Sequence, residues 1–174
     1  MADIPDGIVL SRDRDLRGRF KDIWIRRALI SLVAAVLIVG LANVFGQRPH
    51  SYTAAAPAAA LKVTAPTHIR GGLMFESRFH IEAHRELKDA QLVLGSGWME
   101  GMTINTMEPS PLGQGSRDGD LIVDLGHIPA GKSYLLFFQM QVNPTNIGRR
   151  GADVELYDGS KRILAVHHTF TLFP

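Results

Sequence analysis

The sequence predicts a mainly β protein, an antiparallel β-sandwich of seven or eight strands preceded by a single transmembrane α-helix. Three observations carry this expectation. Residues 28–45, ALISLVAAVLIVGLANVF, contain no charged side chain. Residues 61–174 alternate apolar and polar residues in short runs separated by Gly, Pro and Asp. Between those runs no amphipathic helical period occurs, which favours packed antiparallel sheets over a parallel α/β sheet.

The apolar run comes first along the chain. With Trp24 and Ile25 it approaches the ~20 residues needed to cross the hydrocarbon core of a bilayer. A lone helix satisfies its own backbone in lipid. Trp24 suits the headgroup layer, and Arg26 and Arg27 can extend their guanidinium groups to the same interface. Residues 1–27 hold seven Lys/Arg against five Asp, whereas residues 28–174 hold twelve basic and twelve acidic residues. Basic residues ahead of the span predict a cytoplasmic N-terminus and a C-terminal domain outside, in the cytoplasmic (inner) membrane. The expected order is a cytoplasmic tail over 1–23, a signal-anchor helix over 24–46, an Ala/Pro-rich linker over 47–60 and the folded domain over 61–174. The small residues at Ala54–Ala56 and Ala58–Ala60 offer an alternative, a cleaved signal sequence. Ser31 with Ala35, and Ala42 with Gly46, have small-xxx-small spacing suited to helix packing.

In the domain, residues 73–84 form the clearest strand. Phe75, Ser77, Phe79, Ile81 and Ala83 share one face; Glu76, Arg78, His80, Glu82 and His84 share the other. Further strands are expected over 61–64, 90–94, 102–107, 121–125, 133–142, 152–157 and 162–172. Residues 109–119 read as a surface loop. In 133–142, Tyr134, Leu136, Phe138, Met140 and Val142 are in phase. Asp158-Gly159-Ser160 is a hairpin signal, because Gly accepts the positive φ of a tight turn.

Gly72 ahead of the long strand, Met99-Glu100-Gly101-Met102, and Leu125-Gly126-His127-Ile128-Pro129-Ala130-Gly131 together resemble bacterial Ig-like β-sandwich surface modules of the cell-adhesion-related and conserved-repeat type. The resemblance covers roughly residues 61–172. It implies an Ig-like sandwich acting as a spacer or interaction domain, with no catalytic residues. Two features depart from those modules. Arg85-Glu86-Leu87-Lys88 stands where they carry an Asn-rich turn, and there is one copy rather than an array.

The chemistry-bearing residues are few. With no Cys, disulfides, thiol catalysis and Cys-based zinc sites are excluded. The balanced charge of residues 28–174 argues against a nucleic-acid interface. His80, Glu82 and His84 lie on one strand face and are the candidate metal ligands, although same-face neighbours on a strand are ~7 Å apart. Of His167 and His168, one is expected to point inward as a neutral buried imidazole. Ser110, Ser116 and Ser133 lack a nucleophile-elbow context. Gly95-Ser96-Gly97 is followed by neither Lys nor a helix, so it is no phosphate loop. Trp98, Met99 and Met102 form a candidate partner-binding tip, with core capping as the alternative. Exposed sheet edges offer β-augmentation.

No enzymatic activity, cofactor or small-molecule substrate is expected. The function expected is that of a single-pass, membrane-anchored interaction or accessory protein. Its partners would be the lipid bilayer and another integral membrane or envelope protein. An envelope glycan- or peptide-binding module and a periplasmic metal-binding domain are the alternatives.

Overall fold

The computed structural model describes residues 20–42 and 46–174. Most of the expected cytoplasmic tail, and Asn43–Phe45 at the end of the expected span, lie outside these. The described chain forms two separate units, divided between Phe45 and Gly46.

The first unit is helix α1, Phe20–Leu41. Its stretch Lys21–Leu41 is long and apolar enough to cross a membrane, and none of it is buried against protein. Apolar side chains surround the helix. Leu29, Leu32, Val36 and Ile38 are all exposed, whereas a core helix would hide one stripe.

The second unit contains thirteen strands among the described residues. In chain order these are β1 (Pro49–Ala55), β2 (Ala59–Pro66), β3 (His68–Arg70), β4 (Met74–Ala83), β5 (Leu87–Leu94), β6 (Met102–Glu108), β7 (Gly113–Arg117), β8 (Asp120–Ile128), β9 (Ser133–Val142), β10 (Gly148–Gly151), β11 (Val154–Asp158), β12 (Lys161–Val166) and β13 (Thr169–Phe173). They pair as two five-stranded sheets, β1-β2-β4-β9-β6 and β12-β11-β5-β8-β7, and a three-stranded sheet, β10-β13-β3. The protein is mainly β, as expected, but with thirteen strands in three sheets rather than seven or eight in a sandwich. One pairing, β13 with β3, is parallel.

The strand faces of β4 and β9 match the sequence periodicity. Phe75, Ser77, Phe79, Ile81 and Ala83 are buried while Glu76, Arg78 and Glu82 are exposed. The phase of β9 buries Leu136, Phe138, Met140 and Val142. All three sheets feed one core, to which Leu61 and Phe79, Leu92 and Val123, and Ile69 and Phe170 contribute. Fully burying a side chain of this size stabilises by about 1.5–3 kcal/mol.

Several segments differ from expectation, each for a physical reason. Residues 47–60 are not a spacer. Their middle forms β1, which pairs with β2 from Pro49↔Pro66 to Ala55↔Ala60. Tyr52, Ala54 and Ala56 pack on the core; Ala is small enough to sit over it without a strong sequence period. The expected loop 109–119 contains β7, whose GQGSR sequence has no apolar face and stands at a sheet edge. The expected strand over 162–172 breaks at His167 and His168, where the chain leaves one sheet for another. The hairpin at 158–160 forms as expected, with Gly159 at φ +59°.

Candidate functional site

The site with the most binding character is the open end of the sheets where β6 and β7 lie. Both are edge strands, each paired on one side only, so each leaves backbone donors and acceptors free for another strand. A groove of about 600 Å³ runs beside β6, lined among others by Met99, Met102, Ile104, Met107, Pro111 and Leu121. Met102 is buried at its floor, while Ile104 and Met107 are half-buried and pack on the core. Thr103 and Thr106 are exposed and line the same groove. A bulge between Ile104 and Thr106 shifts the side-chain phase, which is why Ile104 and Met107 both reach the groove. That shift also weakens the period-two signal, so Ile104, Met107 and Leu121 were not legible as a site.

The expected tip of Trp98, Met99 and Met102 divides. Trp98 is fully buried, which corrects its assignment as a partner contact. Its indole N–H donates to the Ala152 carbonyl at 2.8 Å, and its ring packs against Phe79 and Phe170. Glycine makes this possible, because a Cβ on Gly97 would stand 1.9 Å from the Gly151 carbonyl oxygen. The short 3-10 turn Ser96–Trp98 thereby presses against the chain at 151–152. Met99, half-buried, lines the edge groove with Met102.

His80, Glu82 and His84 do share a shallow groove with Lys132 and Ser133. His80 Nδ1 lies 3.7 Å from a Glu82 carboxylate oxygen. No three His, Asp or Glu among the described residues converge as metal ligands. The strand rise spreads same-face residues too widely, and β4 ends at Ala83, before His84.

His167 is exposed and pairs with Asp153 at 3.0 Å. His168 points inward, only 2% exposed. It is ringed by Tyr52, Trp98 and Phe170, with ring centroids 4.8, 5.8 and 4.5 Å away. Neither ring nitrogen makes a hydrogen bond of regular geometry. Burial, assisted by nearby His50, pushes its pKa down from 6.5 to about 4, against weaker opposing effects of the Pro66 carbonyl and Asp153. This imidazole is a neutral core ring, and its aromatic surroundings make it a packing element rather than a proton shuttle.

On α1, the Arg27 guanidinium lies over the Trp24 ring at 5.5 Å, and both belong with Arg26 to the first turns of the helix.

No protein-family model matches the chain, and no curated protein matches it either. Among solved structures it is similar to AvmM, which catalyzes macrocyclization in alchivemycin A biosynthesis, at 8% identity and TM-score 0.43, covering 74% of this chain and 90% of that one. It is also similar to a von Willebrand factor type A structure from Catenulispora acidiphila, at 18% identity and TM-score 0.36, covering 52% and 24%. A third is the GH20 exo-β-N-acetylglucosaminidase from Vibrio harveyi in complex with N-acetylglucosamine, at 13% identity and TM-score 0.31, covering 73% and 18%. Similarities at these scores carry no argument about activity.

Proposed function

We propose that the protein is a membrane-anchored, non-enzymatic interaction module that receives an extended segment of an envelope or integral membrane protein along β6. The free edge of β6 beside a groove lined by Met99, Ile104 and Met107 is the observation that supports it most. Added main-chain hydrogen bonds give affinity in such pairing, and the flanking apolar pockets give selectivity. Met suits a surface that adapts to its ligand. The domain in this reading is an Ig-like surface module, held by α1 as a signal-anchor with the N-terminus in the cytoplasm.

The anchor is retained in this reading. Cleavage after the Ala-rich positions at 54–56 or 58–60 would remove β1 and uncover the edge of β2 that it pairs.

A photo-crosslinker placed at Thr106 in the full chain, with purification in mild detergent, tests the edge. A discrete crosslinked partner is expected, absent when the crosslinker sits at Ser160. With the crosslinker kept at 106, Thr103→Lys with Asn105→Lys should abolish the crosslink without unfolding the chain, since both residues are exposed and edge lysines oppose strand addition. A chain that runs alone and monomeric, with no product at Thr106, sinks the proposal.

A further inference from the structure

We infer that the end of the domain formed by residues 70–74 and 143–149 docks on an anionic bilayer surface, with Leu73, Met74 and Ile147 entering the headgroup layer and Arg70 and Arg149 meeting lipid phosphates. This rests on reading α1 as a membrane anchor.

Apolar exposure is concentrated at this end. Five large apolar side chains of the β-domain are exposed among the described residues, and Leu73, Met74 and Ile147, at 46%, 52% and 57%, are three of them. They cannot retreat into the core, because their loops are fixed. The Gly72 N–H donates to the Val142 carbonyl at 2.9 Å and the Val142 N–H to the Leu73 carbonyl at 3.1 Å. The Gly71 N–H donates to the Phe173 carbonyl at 2.7 Å. Loop 143–147 crosses so close that a Cβ on Gly71 would lie 2.8 Å from the Pro144 oxygen. Asn146 is itself tied down, its amide donating to the Glu100 and Gly101 carbonyls at 3.0 and 3.1 Å.

The charges here fit an anionic partner. Arg70 and Arg149 are exposed and have no ion-pair partner among the described residues. Glu100 is paired by Arg150. Register places Arg149 opposite Thr171, and Thr171 opposite His68, adding hydroxyl and imidazole donors in the same row. Basic and apolar groups together are what an interfacial contact with anionic lipid uses.

Chain connectivity supplies the partner. Pro49 pairs with Pro66, Thr64 with Arg78, and Met74 with Gln141. The chain therefore enters the domain at the same end as the Leu73–Met74 loop. Seven peptide links join Ala42 to Pro49, a covalent reach of at most about 25 Å. Whatever the angle between helix and domain, a spanning α1 keeps this end within reach of the lipid surface. A tether of that length gives even a weak surface contact a high effective concentration.

The chain has no cysteine, so single-cysteine labelling is clean. The full chain is reconstituted in phosphatidylcholine vesicles with or without phosphatidylglycerol, carrying an environment-sensitive fluorophore at Leu73→Cys, Ile147→Cys or Ser160→Cys. Ser160 lies in the hairpin beside Asp89, at the opposite end of β5 from Leu94. With phosphatidylglycerol, the labels at 73 and 147 should shift to the blue and be quenched by nitroxide lipid, while that at 160 should not. Arg70→Gln with Arg149→Gln, or high salt, should remove the shift. A solvent-like label at 147 in a chain that resists alkaline carbonate overturns this inference alone. So does an equal shift at 160, or a shift that needs native membrane protein, which would give the surface to a protein partner. Release of the chain by carbonate overturns the anchor reading and this inference with it.

Discussion

His168 is the residue whose chemistry departs most from its ordinary state. Its native pKa, about 4, lies below the 6.5 of an exposed histidine. Above pH 6.5 the ring is neutral whether the chain is folded or unfolded, and its packing contribution is fully present. As pH falls from 6.5 towards 4, the unfolded chain binds a proton that the folded chain refuses, so stability is lost through that window. Below about 4 both states are protonated and the loss levels off. A shift of this size is worth on the order of 3 kcal/mol. His168→Phe keeps an aromatic ring among Tyr52, Trp98 and Phe170 and removes the titration. Chemical denaturation between pH 7 and 4 should show a steeper fall for the native chain than for the variant. Parallel curves would mean that His168 is solvated. The sequence foretold one buried imidazole at 167–168, because alternation must send one of two adjacent side chains inward. It did not foretell the aromatic ring around it, which draws on residues over a hundred positions apart in the chain.

At the scale of elements, strands with strong alternation were legible and strands without it were not. The inward faces of β4 and β9 follow directly from period two, because each has one buried and one exposed face. β1, β3, β7 and β10 are short or rich in Ala, Gly, Arg or polar residues, and their pairing is set by neighbours distant in sequence. Trp98 misled for a related reason. A Trp in a Gly-rich turn looks like a surface tip, but Gly97 lets that turn approach the backbone of Gly151 closely. The status of β1 gives a direct test. If residues 47–60 were a spacer, Tyr52→Ala would leave stability unchanged. Because Tyr52 packs on the core and meets the His168 ring edge-on, we expect thermal and denaturant unfolding to show a loss of about 1–3 kcal/mol. An unchanged midpoint would contradict the assignment of β1 to the domain.

At the scale of the molecule, an apolar helix is followed within a few residues by a β-domain with balanced charge, an open strand edge and a basic, apolar-studded end. The edge and the end serve different partners in this account. The edge takes an extended peptide, and the end rests on lipid. Both depend on the helix remaining attached and on the domain lying outside, so topology is the measurement that bears most directly on the whole. A single cysteine at Ser160, in a chain that has no other, is exposed to a membrane-impermeant maleimide in spheroplasts. The account predicts labelling without permeabilisation, on a full-length chain that stays with the membrane in alkaline carbonate. Labelling only after the membrane is broken, or label recovered on a soluble fragment lacking α1, would contradict it.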